Sequence, residues 1–63
     1  MEKIRTLVAH NNDKIRNSIV NSINELDYIE VVGIANDGIN TYNQIIDLEP
    51  EIVFSEYNYG FFW

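Results

Sequence analysis

Apolar and polar positions follow one another in blocks along this chain of 63 residues. An apolar run over Ile4–Ala9 stops at the polar cluster His10-Asn11-Asn12-Asp13, which predicts a buried strand that ends in a loop. Apolar residues then recur at a spacing of three and four over 13–26, which predicts a helix that Asn12 or Asp13 can cap. The residues on this apolar helix face are Ile15, Ile19, Val20, Ile23 and Leu26.

The second half of the chain repeats this arrangement. Positions 28–35 are dense in β-branched residues and predict a second strand, which ends at the turn signal Asn36-Asp37-Gly38. Helical spacing returns over 38–48, and Pro50 ends that helix because proline disfavours a helical conformation in the residue before it. Positions 51–55 predict a third strand, with a continuous apolar run over Ile52, Val53 and Phe54. The predicted order is β-α-β-α-β, with parallel strands and helices on the sheet faces.

Composition and charge narrow the class of protein. A chain of 63 residues without cysteine forms one small domain that buries only roughly 60% of its unfolded surface, with no disulfide to support it. Ten acidic residues against four basic ones give a net charge of -6, which argues against nucleic-acid binding. Met1 is followed by a glutamate and a short strand-like run, and no apolar stretch is long enough for a membrane span. We therefore expect a cytoplasmic protein.

Three places are candidates for a functional site. In sheets of parallel strands, ligands and catalytic groups collect beyond the carboxyl ends of the strands. Those ends are followed here by positions 10–13, 36–38 and 56–58. If the strand order is 2-1-3, the first and third of these places are neighbours.

Three segments resemble the first half of a bacterial receiver domain, the phosphorylatable module of two-component signalling. Ile4–Ala9, His10-Asn11 and Arg16 are similar to the family's first strand, its pair of aspartates and the arginine that follows them. Positions 29–38 are similar to its second strand and alanine-asparagine-glycine turn. Positions 48–56 match the run into the phosphate-accepting aspartate, with Glu56 in the acceptor's place. The resemblance implies an α/β fold, one half of the flavodoxin-like receiver, with three parallel strands in the order 2-1-3 and two helices.

The functional positions depart from the family's pattern. The resemblance implies a Mg²⁺ site made by the aspartate pair and the acceptor, but His10 and Asn11 remove both carboxylates of the pair. The carboxylate of Glu56 lies one methylene farther from the backbone than that of an aspartate, and phosphoryl transfer depends on the position of the accepting carboxylate. The switch hydroxyl and the lysine of the family's later strands have no counterpart in these residues. We expect residues 1–63 to be one truncated receiver-like domain with no enzyme activity, metal or cofactor.

Three residues near this site have competing interpretations. Glu56 either imitates a phosphorylated acceptor or has drifted, and drift is favoured because glutamate lacks the charge and geometry of an aspartyl phosphate. His10 is a metal ligand, an inert loop residue or a partner of Glu56. We hypothesise that a charge-assisted contact between His10 and Glu56 replaces the metal bridge between two strand ends. Asp13 reaches the site only through loop rearrangement, so a position in the first turn of the helix is favoured.

The third strand and the aromatic residues after it form a candidate self-association surface. An exposed apolar strand edge is a template for pairing with another chain. We expect a homodimer with a continuous six-stranded sheet and a two-fold axis, or a protein partner that supplies the missing half. The residues assigned to this surface are Ile52, Val53, Phe54, Tyr57, Tyr59, Phe61, Phe62 and Trp63.

Two functions are compatible with these features. The first is a degenerate signalling or interaction module that takes no part in a phosphorelay and binds itself or a protein partner, with neither nucleic acid nor membrane bound by this segment. The alternative is the N-terminal fragment of a longer response regulator with an atypical receiver and a DNA-binding output domain.

Overall fold

The computed structural model describes residues 2–55, which form a three-stranded parallel sheet with two helices. The predicted element order and the strand order β2-β1-β3 are both confirmed. Neither helix in this part of the chain is long and apolar enough to cross a bilayer. The elements are β1 (Ile4–Ala9), α1 (Asp13–Asn24), β2 (Ile29–Ala35), α2 (Gly38–Leu48) and β3 (Ile52–Ser55).

Helix α1 begins and ends on local hydrogen bonds. The Asn12 side chain accepts the Ile15 N–H at 3.1 Å, so Asn12 is the N-cap residue that the sequence left open between two candidates. The helix ends at Asn24, two residues earlier than its apolar spacing predicts. The reason is a tight turn in which the Leu26 N–H donates to the Ile23 carbonyl at 2.9 Å. Strands β2 and β3 each begin one residue later than expected.

The two faces of the sheet are covered differently. On the α2 face, Leu7, Ala9, Ala35 and Val53 form a buried cluster against which Ile45 packs. Alternate residues of β1 point to the opposite face, where α1 lies. Both helices lie over β1 and β2 and neither is centred on β3. Among the described residues, the third strand is therefore the least covered part of the sheet.

A close approach between α2 and β2 depends on Gly33. Thr6 pairs with Val31 but Leu7 pairs with Gly33, so β2 carries one extra residue between these pairs. A Cβ atom on Gly33 would lie 2.8 Å from a Leu48 methyl carbon and 2.9 Å from a Leu7 methyl carbon. Both distances are too short for van der Waals contact, so the absence of a side chain lets the helix pack on the strand.

The carboxyl end of α2 is held by Arg5 of β1. Its guanidinium donates to the Leu48 carbonyl at 2.6 Å and to the Glu49 carbonyl at 3.0 Å. Glu49 has a left-handed backbone with a φ of 48°, immediately before Pro50. A cation at this position satisfies carbonyls that the helix cannot bond and complements the negative end of its dipole. The sequence pattern attributed the end of the helix to Pro50 and missed Arg5.

We predict that Arg5→Met lowers the free energy of unfolding by about 2 kcal/mol, because two carbonyls lose a charged donor while the aliphatic stem stays in place. Urea unfolding followed by circular dichroism measures the change. Lys3→Met is the matched control, since Lys3 is exposed, and it should change the free energy by under about 0.5 kcal/mol. Equal unfolding midpoints for the two variants would show that the Arg5 hydrogen bonds do not stabilise the fold.

Candidate functional site

The carboxyl ends of β1 and β3 lie side by side. Ala9 pairs with Ser55 at the end of the ladder between these strands. The carboxyl ends of these two strands are therefore neighbours, as the strand order 2-1-3 implies. Glu56, which the resemblance places at the acceptor position, lies outside the described residues, and the contact between His10 and Glu56 stays a prediction.

His10 is a buried corner residue with only 2% of its surface exposed. Its backbone N–H donates to the Ala35 carbonyl at 3.1 Å, which extends the pairing of β1 with β2 by one residue. Its Nδ1 accepts the Asn12 N–H at 2.9 Å. A nitrogen that accepts a hydrogen bond carries no proton, so the ring is neutral and its proton is on Nε2. His10 thus joins the end of the central strand to the start of α1.

Asn11 and Asp13 contribute little negative charge towards this corner. Asn11 is exposed and offers only a neutral amide. Asp13 lies in the first turn of α1 with 78% of its side chain exposed, and its carboxylate accepts from Arg16 at 2.6 Å. The arrangement places Asp13 at the start of the helix, the interpretation that the sequence favours.

Arg16 connects α1 to the end of β1. One terminal nitrogen donates to the His10 carbonyl at 3.0 Å and the other to Asp13. Its Nε is buried and has no hydrogen-bond partner within the described part of the chain. The side chain borders a polar cavity of about 300 Å³ beside the end of β2. The other lining residues are Ile34, Ala35, Asn36, Asn40 and Gln44.

The turn after β2, the second candidate place, is used to start α2. Asp37 is the N-cap of that helix, and its side chain accepts the Asn40 N–H at 2.7 Å. Its backbone carbonyl accepts from both the N–H and the hydroxyl of Thr41, at 3.0 and 2.6 Å. The sequence predicts a turn here but not this cap. Its signal is an aspartate directly before a helical run.

Among residues 2–55, no three His, Cys, Asp or Glu side chains are grouped so that they could hold a metal ion. The described part of the corner presents a neutral imidazole, an exposed amide and a carboxylate already paired with Arg16. The hydrogen bonds of this corner stabilise the turn from the end of β1 into α1.

The β3 surface is described only in part. Ile52 and Phe54 are 44% and 49% exposed, whereas Val53 between them is buried on the α2 face. Both residues belong to the candidate self-association surface predicted from the sequence, and the exposure of their side chains agrees with a surface position. The cause of the exposure is that neither helix lies over β3. The remaining residues assigned to this surface lie outside the described residues: Tyr57, Tyr59, Phe61, Phe62 and Trp63.

An apolar groove of about 350 Å³ runs along α1 next to Phe54. It lies on the sheet face opposite α2, because Phe54 pairs with Val8 and shares the orientation of that residue. The groove is lined by Ser18, Ile19, Ser22, Ile23, Leu26 and Phe54.

Comparison with known proteins gives one partial similarity. No protein-family model matches the chain. Over 53 residues the chain is 36% identical to protein-glutamate methylesterase/protein-glutamine glutaminase 3 of Geobacter sulfurreducens. The match covers 84% of this chain and 14% of that relative, so the chain spans about one seventh of its length. With the strand order, this similarity supports a receiver-like α/β module.

We predict that Arg16→Met destabilises the fold by about 1 to 2 kcal/mol, because the part-buried His10 carbonyl loses its side-chain donor. Asp13→Asn should change the free energy of unfolding by less than about 0.5 kcal/mol, since the ion pair is exposed on the Asp13 side. Urea denaturation of both variants tests this order. A larger effect for Asp13→Asn would mean that the ion pair dominates.

We also predict that His10 is the neutral tautomer with its proton on Nε2. Long-range ¹H–¹⁵N correlation spectra at pH 7.5 report the protonation of each ring nitrogen directly. The expected result is an unprotonated, hydrogen-bonded Nδ1. A protonated Nδ1 would contradict the bond from the Asn12 N–H.

Proposed function

We propose that this chain is a receiver-like signalling module that acts by binding proteins, itself included, and does not accept phosphate. The observation that carries the proposal is the state of His10. Where the resembled family has the first carboxylate of its metal site, this chain has a buried imidazole with Nδ1 engaged by the backbone.

The chemistry of phosphoryl transfer supports this proposal. Transfer to a carboxylate depends on Mg²⁺ that neutralises charge as it develops on the moving group. Mg²⁺ prefers carboxylate oxygens in octahedral geometry. Near the end of β1, Asn11 supplies only a neutral oxygen and the Asp13 carboxylate is paired with Arg16. Within residues 2–55, a cation bound here would compete with the Arg16 guanidinium for the Asp13 carboxylate.

Charge and exposure favour a protein as the partner. The net charge of -6 repels the phosphates of nucleic acids. The apolar side chains of Ile52 and Phe54 are about half exposed on a strand with little cover. Such a surface gains free energy by pairing with another polypeptide.

A second candidate is the N-terminal fragment of a longer response regulator. The observation that favours it is that the match includes only 14% of the relative's length. The outer edge of β3 would then pair with a later strand of the same protein. The methylesterase activity in the relative's name would, under this alternative, belong to the remainder of that enzyme.

We predict that incubation with Mg²⁺ and acetyl phosphate leaves the intact mass of the chain unchanged. A receiver domain with the complete aspartate set, treated in parallel, is the control and should gain a phosphoryl group that is lost in alkali. The proposal fails if this chain gains an alkali-labile phosphoryl group, and peptide mapping would then show whether Glu56 carries it.

A further inference from the structure

Helix α2 has one side on the sheet and a second apolar side in solvent. On the sheet side, Thr41 is fully buried and Ile45 packs on the buried cluster. Ile39 and Ile46 are 77% and 56% exposed, and their spacing places both on the opposite side of the helix. Asn43 lies between them on that side and is exposed as well. Ile39, Asn43 and Ile46 form what we call the outer face of α2.

The outer face points away from the layer of helices to which α2 belongs. Helices that share one face of a sheet lie in a single layer, so a further helix beside α2 would pack against its flank. Tyr42 is 50% exposed and lies on a flank, so the outer face does not depend on it. Ile39 and Ile46 are therefore accessible to another molecule whether or not further elements complete the sheet.

Charge on α2 is low for a chain whose net charge is -6. Asp47 is the one charged residue in Gly38–Leu48. Two copies of an acidic chain repel each other, and the repulsion is smallest where the contacting elements carry few charges. A basic partner would find a single carboxylate on this helix. The outer face therefore suits another uncharged apolar helix face, and α2 of a second copy supplies one.

We propose that α2 pairs antiparallel with α2 of a second copy of this chain, about a two-fold axis. Ile39 of each copy lies opposite Ile46 of the other, so the axis relates two identical isoleucine contacts. The two Asn43 side chains meet near the axis, because position 43 is close to the midpoint between 39 and 46. This inference rests on the proposed function only in taking a protein as the partner, and it does not involve β3.

The polar residues of α2 favour the antiparallel orientation. A carboxamide has both donors and an acceptor, so two Asn43 side chains near a two-fold axis can each donate to the other. A single polar residue in an apolar helix seam fixes the register at a cost in stability. Antiparallel pairing also brings Asp47 to the positive amino end of the other α2, where the Asp37 carboxylate is already bonded to Asn40. In a parallel pair the two Asp47 carboxylates would lie side by side.

The size of the contact predicts a weak dimer. With 11 residues at roughly 1.5 Å per residue, α2 is about 16 Å long. A stable interface buries roughly 800 Å² per partner, which is more than a pair of helices this short provides. We therefore expect a dissociation constant of about 0.1 to 1 mM, at the weak end of specific protein association.

Charged side chains on the outer face test both the dimer and its register. Ile39→Lys and Ile46→Glu should each weaken dimerisation by about tenfold or more in sedimentation equilibrium, because an unpaired charge then faces an isoleucine. An equimolar mixture of the two should associate more tightly than either alone, since the introduced lysine faces the introduced glutamate. Ile15→Lys, at an exposed site on α1, is the matched control and should dimerise like the unmodified chain. An equal loss in Ile15→Lys, or a mixture that associates no better, would overturn the proposed contact.

Single cysteines test the register independently, because the chain contains none. A mixture of Ile39→Cys and Ile46→Cys should form a mixed disulfide under copper-phenanthroline oxidation, since the two sites lie opposite each other, and each variant alone should give little product. Dominant self-cross-linking of either variant would overturn the antiparallel register. An unmodified chain that stays monomeric at about 2 mM would refute the dimer, whatever the result with acetyl phosphate.

Discussion

The fold depends on β1 being buried from both sides and both edges. Leu7, Val8 and Ala9 have no exposed surface, which requires a strand on each side of β1 and a helix over each face. The crossover from β1 to β2 and the crossover from β2 to β3 run in opposite directions across the sheet. Because both have the same hand, they place α1 and α2 on opposite faces. The other elements are thus arranged around three consecutive apolar residues of β1. Among the described strands, β3 is the one that the helices cover least.

Local sequence determined much of this structure in advance. The strands, the helices and the cap at Asn12 follow from spacing and from residues within a few positions of each other. Arg5 could not be predicted in this way, because the carbonyls that it bonds lie more than forty positions later. The half-exposure of Ile52 and Phe54 depends on a similarly long-range feature. An apolar run indicates a strand, but its burial depends on where the helices come to rest.

The candidate site was predictable in position more than in detail. The rule for parallel sheets located the adjacent ends of β1 and β3, and the register of Ala9 with Ser55 confirms that adjacency. The hydrogen bonds of His10 were not predictable, since an imidazole in a polar loop can bind a metal, titrate or accept a backbone N–H. Burial decides among these roles by making an unsatisfied ring nitrogen costly.

Under the proposed function, the replacement of a carboxylate pair by His10 and Asn11 changes what this corner contributes to the fold. Two aspartates at a strand end repel each other unless a cation lies between them, so a metal site of that kind is kept at a cost in stability. His10 removes that repulsion and adds a hydrogen bond between the loop and its own side chain. Because the core of this chain is small, a corner whose polar groups are hydrogen-bonded without a metal ion favours folding. Under the proposed function, the same residue stands where phosphoryl transfer requires a charged oxygen, so stability and the proposed loss of phosphorylation have one physical origin.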